Sequence, residues 1–180
     1  MAITITENAA SRVKSFLHDR GKGIGLRVGV KTTGCSGMAY VIEFADEVDK
    51  DLNLIKGGGG AHTNEKKLAK QAKEFICIID DQKLVNCLGG FPLPVEVKIA
   101  EANEVIPVLK QFSNNISKRE SLSDSGNYLY DIHDFKIENP NKIEEQILSM
   151  NGIVDVGIFS INKPSTVVVG LESSYKLIES

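Results

Sequence analysis

Residues Leu54–Glu65 read LIKGGGGAHTNE and gather the groups that proton-transfer chemistry on a small anionic substrate needs. Four glycines follow a short apolar run and a lysine. A glycine run at a strand-to-helix turn leaves backbone N–H groups uncovered, and the helix N-terminus behind it completes an anion site. Lys56 adds a mobile positive charge and Glu65 a base. Thr63 is the expected N-cap, with Glu65 in the first helical turn. Two bland readings stand beside this one. The glycines alone would suit a flexible linker, and Glu65 could serve only the helix dipole, worth ~0.3–1 kcal/mol.

Other chemistry-bearing residues are scattered. Cys35 lies in the turn TTGCSG, where a thiolate between glycines could reach a metal. One cysteine is not a metal site, because structural zinc and iron–sulfur centres take three or four ligands. Cys77 lies inside the apolar run FICIID and reads as core. Cys87 has no C-x-x-C partner. His62 and His133 tempt as catalytic groups, but His133 reads as structural. Lys66, Lys67, Lys70 and Lys73 read as a solvated helix face.

The elements that must position these residues follow from periodicity. Ala9, Ala10, Val13, Phe16 and Leu17 form the stripe of a helix that ends near Arg20 at Gly21. Leu26, Val28 and Val30 alternate with polar residues, and so do Met38, Tyr40, Ile42 and Phe44 after the turn, giving a β-hairpin. Asn64–Glu74 is helical, with Leu68, Ala72 and Phe75 on one side. FICIID reads as a fully buried parallel strand. Val95, Val97 and Ile99 begin a strand–helix–strand–strand–helix–strand order that runs to Phe159, with Pro107 disturbing its first helix and Asn139-Pro140 opening its second. That order is the ferredoxin-like unit. Strands near Val167–Leu171 and Tyr175–Ile178 return to the first layer.

Composition limits the function classes. The chain has 180 residues, 42% of them apolar, and a net charge of −3. It carries no basic footprint for nucleic acid, and no apolar run of the ~20 residues a bilayer crossing needs. Its N-terminus lacks the pattern of a signal peptide, and three widely spaced cysteines form no disulfide framework. A cytoplasmic location is the expectation.

Two stretches carry resemblances. Residues 1–44, with TTGCSGMAY, resemble the first half of an A-type iron–sulfur cluster carrier, whose first cysteine matches Cys35. The C-x-C pair that such carriers need is absent. From Asp46 onwards, ADEVDKDLNLIKGGGGAHTNEK, KEFICIIDDQK, GGFPLPVEV, DSGNYLYDIHDF and VVVGLESSYKLI are similar to type A ribose-5-phosphate isomerase. The chain thus reads as two family fragments joined near residues 44–47. A natural fusion, a constructed chimera and a mis-assembled sequence would all give this pattern.

The isomerase resemblance implies an α/β with α+β fold. Residues 45–91 and 161–180 would form an incomplete doubly wound sheet and residues 92–160 a ferredoxin-like lid, with the carrier-like helix and hairpin of residues 1–44 in front. It implies aldose–ketose isomerisation of ribose 5-phosphate through an enediolate, with no cofactor. Glu65 matches the proton-abstracting base, Lys56 and Gly57–Gly59 the substrate-contacting KGGG, Asp46 a strand-end acid and Lys83 a substrate-contacting lysine. Glu43-Phe44-Ala45-Asp46 stands where the family has D-G-A-D, so Glu43 and bulky Phe44 replace an aspartate that assists ring opening and a glycine close to sugar. The family's N-terminal phosphate loop has no counterpart in residues 1–43, which implies impaired activity. The partners implied are a sugar phosphate and further copies of the chain, with no nucleic acid and no membrane. The carrier resemblance implies instead iron or an iron–sulfur cluster at Cys35, shared within an oligomer. A hybrid with neither activity is the third reading.

Overall fold

The computed structural model describes residues 27–33, 37–43, 45–171 and 174–180. The expected N-terminal helix, Cys35 and Phe44 lie outside them. Strands β1 (Arg27–Thr33) and β2 (Gly37–Glu43) pair antiparallel as the expected hairpin, with Arg27 opposite Glu43 and Thr33 opposite Gly37.

The elements around the glycine run are short. Strands β3 (Glu47–Asp49) and β4 (Leu54–Ile55) lead into helix α1 (His62–Gln71), strand β5 (Ile76–Asp80) and strand β6 (Leu84–Val85). Next come β7 (Leu93–Val97), α2 (Ala102–Leu109), β8 (Ile116–Leu122), β9 (Tyr128–Ile132), α3 (Pro140–Leu148) and β10 (Ile153–Val156). The chain ends with β11 (Ile158–Phe159), β12 (Thr166–Gly170) and β13 (Tyr175–Glu179).

These strands form three further sheets, in the orders β10-β7-β9-β8, β11-β4-β3-β6 and β13-β12-β5. The first is antiparallel throughout. The other two each hold one parallel pair, β3 with β6 and β5 with β12. Val95, Val97, Val105, Leu109, Ile132, Ile147 and Val156 fill one core cluster. Val48, Leu54, Phe75, Cys77, Ile79, Phe159, Val167 and Val169 fill a second. Asn139 caps α3 as the sequence implies, its side chain accepting from the Lys142 N–H.

Three local expectations change. The single strand expected over Ile153–Phe159 is two strands in different sheets, β10 and β11, hinged at Gly157. The Gly157 N–H donates to the Pro94 carbonyl at 2.7 Å, and its own carbonyl accepts from the Lys56 N–H at 2.9 Å. A Cβ at 157 would stand 2.3 Å from the Lys56 carbonyl oxygen, so only glycine lets the two sheets meet here. The β5 strand is parallel to β12 but not buried on both faces. Cys77 and Ile79 point into the second core while Ile76 is exposed, because only one face is packed.

The third change concerns α1. Its N-cap is Ala61, which makes no side-chain cap bond; Thr63 instead lies inside the helix and its Oγ1 donates to Glu96. The buried face of α1 is not the apolar stripe through Leu68 and Ala72. It is His62, Thr63, Glu65, Lys66 and Ala69. Lys66 is therefore an interior residue, while Lys67, Lys70 and Lys73 are solvated as expected.

Candidate active site

Lys56 leaves the end of β4 with its side chain fully buried. A buried ammonium is unfavourable unless paired. Its Nζ lies 2.7 Å from Glu65 Oε2, and 5.9 Å from the centroid of the Phe159 ring. Glu65 reaches this point because α1 starts at His62 and places it one turn in, with its N–H donating to the Ala61 carbonyl at 3.0 Å. The Glu65 side chain keeps a 9% exposure, so the pair sits at the edge of the interior.

The glycines between the two residues form a tight turn. Gly57 and Gly60 have φ of 106° and 86°, values that L side chains rarely adopt, and the Gly60 N–H donates to the Gly57 carbonyl at 2.8 Å. A Cβ on Gly57 would stand 2.6 Å from His62 Cβ, so the turn is pressed against the helix start. The Gly58 N–H donates to Asp46 Oδ2 at 2.9 Å. Gly59 faces open space, with nothing within 4 Å of where its Cβ would be.

The structure thus brings Asp46, Lys56, Gly57–Gly59 and Glu65 together. Ala45 is buried in the second core beside them. Lys83 lies in the 3-10 turn Asp81–Lys83 and makes no hydrogen bond or ion pair with Lys56 or Glu65 among the described residues. Its charge acts on Glu47, whose carboxylate accepts from the Gly89 and Phe91 N–H groups at 2.7 Å each. Burial still holds the Glu47 carboxyl above the ordinary glutamate value, against those bonds and Lys83. The Glu43 and Phe44 side chains and Cys35 lie outside what the structure describes. Among the described residues no group of three or more His, Cys, Asp or Glu could hold a metal.

Several residues around the site have partners that the sequence does not reveal. Arg119, on β8, donates through Nη1 to the carbonyls of Gly57 and Gly58. Glu96, near the end of β7, accepts from Thr63 Oγ1, from Ser123 Oγ at 2.7 Å and from Asn127 Nδ2 at 2.8 Å. Burial would raise its pKa, but these three bonds outweigh it and the carboxyl titrates below its ordinary value. His62 is fully buried, which pushes its pKa down and keeps the ring neutral at physiological pH. Lys66 pairs with Glu144 and Asp155, both at 2.8 Å. A charged residue inside a strand or helix was the available signal for Glu96 and Lys66; only the tertiary fold shows their partners.

A glycine turn pinned beside a buried lysine–glutamate pair brings together a carboxylate, an ammonium and backbone N–H groups, the kinds of group that proton transfer uses. The family model for ribose 5-phosphate isomerase A (phosphoriboisomerase A) matches residues 10–174. The chain belongs to that family. Ribose-5-phosphate isomerase A of Francisella tularensis subsp. novicida (strain U112) is 40% identical over 134 residues, covering 74% of this chain and 60% of that protein. Ribose 5-phosphate isomerase A from Neisseria gonorrhoeae superposes with a TM-score of 0.72 at 37% identity, over 75% of this chain and 61% of that one. A D-ribose-5-phosphate isomerase in complex with phospho-erythronic acid gives a TM-score of 0.71 at 33% identity, over 76% and 62%. The chain thus spans about 60% of the length of these relatives. The family match begins at residue 10, not near residue 45, so the carrier-like reading of residues 1–44 gains no support from it.

Proposed function

We propose that this chain carries the enediolate-forming half of an aldose–ketose isomerase site for ribose 5-phosphate. The observation that supports this best is the buried Lys56–Glu65 pair closing on a glycine turn with an open side. In the open-chain aldose, the Glu65 carboxylate takes the C2 proton. The C2–H electrons form the C1–C2 double bond, and the carbonyl electrons move to O1. The Lys56 ammonium and the turn's N–H groups offset that charge. Transfer of the O2 proton to O1 and return of the C2 proton to C1 give the ketose. The complex of a relative with phospho-erythronic acid, a phosphorylated sugar acid, fits the same substrate class.

In this reading Asp46 orients the turn through Gly58, and Lys83 contacts the substrate, as the family resemblance implies. Residues 45–91 and 161–180, together with β11, form the α/β unit around the turn, in two small sheets rather than one doubly wound sheet, and β7 to β10 with their helices form a ferredoxin-like lid. Turnover is low in this reading, because Glu43 and Phe44 stand where the family has an aspartate and a glycine. The test is direct. Purified protein is expected to convert ribose 5-phosphate to ribulose 5-phosphate slowly and to exchange the C2 proton with deuterated water. Absence of both at high enzyme concentration overturns the proposal.

A further inference from the structure

Arg119 holds the glycine turn from the side opposite Asp46. Its Nη1 donates to the Gly57 carbonyl at 3.0 Å and to the Gly58 carbonyl at 3.1 Å. Its other two nitrogens form a fork onto Asp131 of β9, Nε to Oδ2 at 2.7 Å and Nη2 to Oδ1 at 2.6 Å. Both side chains are 16% exposed. A planar guanidinium engaged at both ends has a single orientation, which a lysine ammonium would not share.

That orientation is passed on to the turn. In a trans peptide the C=O and the N–H that follows it point in opposite directions. Holding the Gly57 carbonyl toward Arg119 turns the Gly58 N–H away, and there it meets Asp46 at 2.9 Å. Holding the Gly58 carbonyl toward Arg119 turns the Gly59 N–H away as well. Among the described residues nothing accepts from that N–H, and Gly59 borders open space. The result is a fixed N–H with no acceptor among the described residues, in the turn that joins Lys56 to the helix of Glu65.

We propose that Arg119 is a positioning residue, locked by Asp131, that grips the Gly57 and Gly58 carbonyls and so aims the Gly59 N–H at the substrate oxygen that gains negative charge. The choice of oxygen rests on the isomerase reading; the grip on the turn rests on geometry alone. Asp131 and Arg119 belong to the antiparallel sheet β10-β7-β9-β8, so this contact ties that sheet to the site.

The test uses the full chain with Arg119→Ala, Arg119→Lys and Asp131→Asn. The first readout is amide hydrogen exchange at Gly58 and Gly60, with α3 amides as reference. Arg119→Ala is expected to speed exchange at Gly58 and Gly60 about tenfold or more with α3 unchanged, and added guanidinium is expected to slow it again while methylammonium is not. The second readout is isomerisation. A displacement of about 1 Å in a reacting group can lower rate on the order of 10²-fold. kcat is expected to fall by about that factor with KM nearly constant, Arg119→Lys falling with Arg119→Ala. Unchanged exchange in the turn overturns the inference, as does an unchanged kcat, or Arg119→Lys behaving as wild type. If wild-type protein shows no isomerisation, the isomerase reading fails and exchange with guanidinium rescue decides the role of Arg119. If Arg119→Ala does not fold, Arg119→Lys and Asp131→Asn carry the same comparison.

Discussion

Two buried lysines approach the same ring, Lys56 at 5.9 Å and Lys66 at 5.0 Å from the Phe159 centroid, and their surroundings differ in kind. Lys66 is saturated. It meets Glu144 Oε1 and Asp155 Oδ1 at 2.8 Å each and the Val156 carbonyl at 2.7 Å. The remaining oxygen of Glu144 accepts from the Ser160 N–H, the Ser160 hydroxyl and the Ile161 N–H. Lys56 lies between the buried Glu65 carboxylate and a glycine turn with open space at Gly59. A saturated cluster has no capacity left for a ligand and joins α1, α3 and β10. The pair at the turn borders space that a ligand can enter. The same two residue types thus build a strut around Lys66 and a candidate site around Lys56.

The largest expected effect separates the two by activity. Glu65→Gln removes the base but keeps the shape and one hydrogen bond to Lys56. General-base catalysis contributes about 10²–10⁴-fold, so isomerisation and C2 proton exchange per folded molecule are expected to fall by that range, with a drop in melting temperature because buried Lys56 loses its counter-charge. If Glu65→Gln retains wild-type turnover, the contrast with Lys66 collapses. Lys66→Met should do the reverse. It leaves Glu144 and Asp155 buried without their cation, a change that costs about 3–5 kcal/mol. Chemical denaturation should show that loss, and any protein that stays folded should keep most of its specific activity.

The contrast was only half visible in the sequence. Lys56 and Glu65 stand nine positions apart across a glycine run, and that proximity made the chemistry readable without a fold. Lys66 is adjacent to Glu65 in sequence yet reads as solvent-facing, because three further lysines at 67, 70 and 73 suggest one exposed face. Its partners come from residues 144 and 155, which only tertiary packing brings near. Arg119 is hidden for the same reason. It sits in β8 among Ser117, Lys118 and Glu120, beside a register irregularity against β9 between Lys118 and Leu122. The hairpin and Asn139 cap were legible because alternation and capping are local. The split at Gly157 was not, since a glycine inside an apolar run does not say which two sheets it joins.

Acid should distinguish the struts from one another. The folded pKa of Glu144 is lowered: burial alone would raise it, but Lys66 and the hydrogen bonds outweigh burial. A depressed carboxyl contributes stability that is present above the unfolded value of about 4.3 and is lost as pH falls through the folded value. Glu96 adds to the same loss, since its folded pKa is also lowered. Glu47 has the opposite sign. Its raised pKa contributes stability that is present below the unfolded value and is lost as pH rises through the folded one. Glu144→Gln should therefore flatten the loss of stability between about pH 6 and pH 3, and Glu47→Gln should steepen it. Denaturation midpoints across that range check both signs.

The smallest effect tests whether the helix start belongs to the site or to its support. Thr63 lies two residues before Glu65, but its hydroxyl donates to Glu96, which also holds Ser123 and Asn127. Thr63→Val keeps the shape and removes one of three donors to a buried carboxylate, a loss of about 1–3 kcal/mol. Thr63→Ser should restore most of it. If Glu96 only anchors α1, both variants should isomerise within about threefold of wild type once folded, well short of the loss in Glu65→Gln. A kcat defect in Thr63→Val as large as that of Glu65→Gln would mean that the Glu96 network sets the position of Glu65. The boundary between site and strut would then move inward, to include the first turn of α1 as a whole.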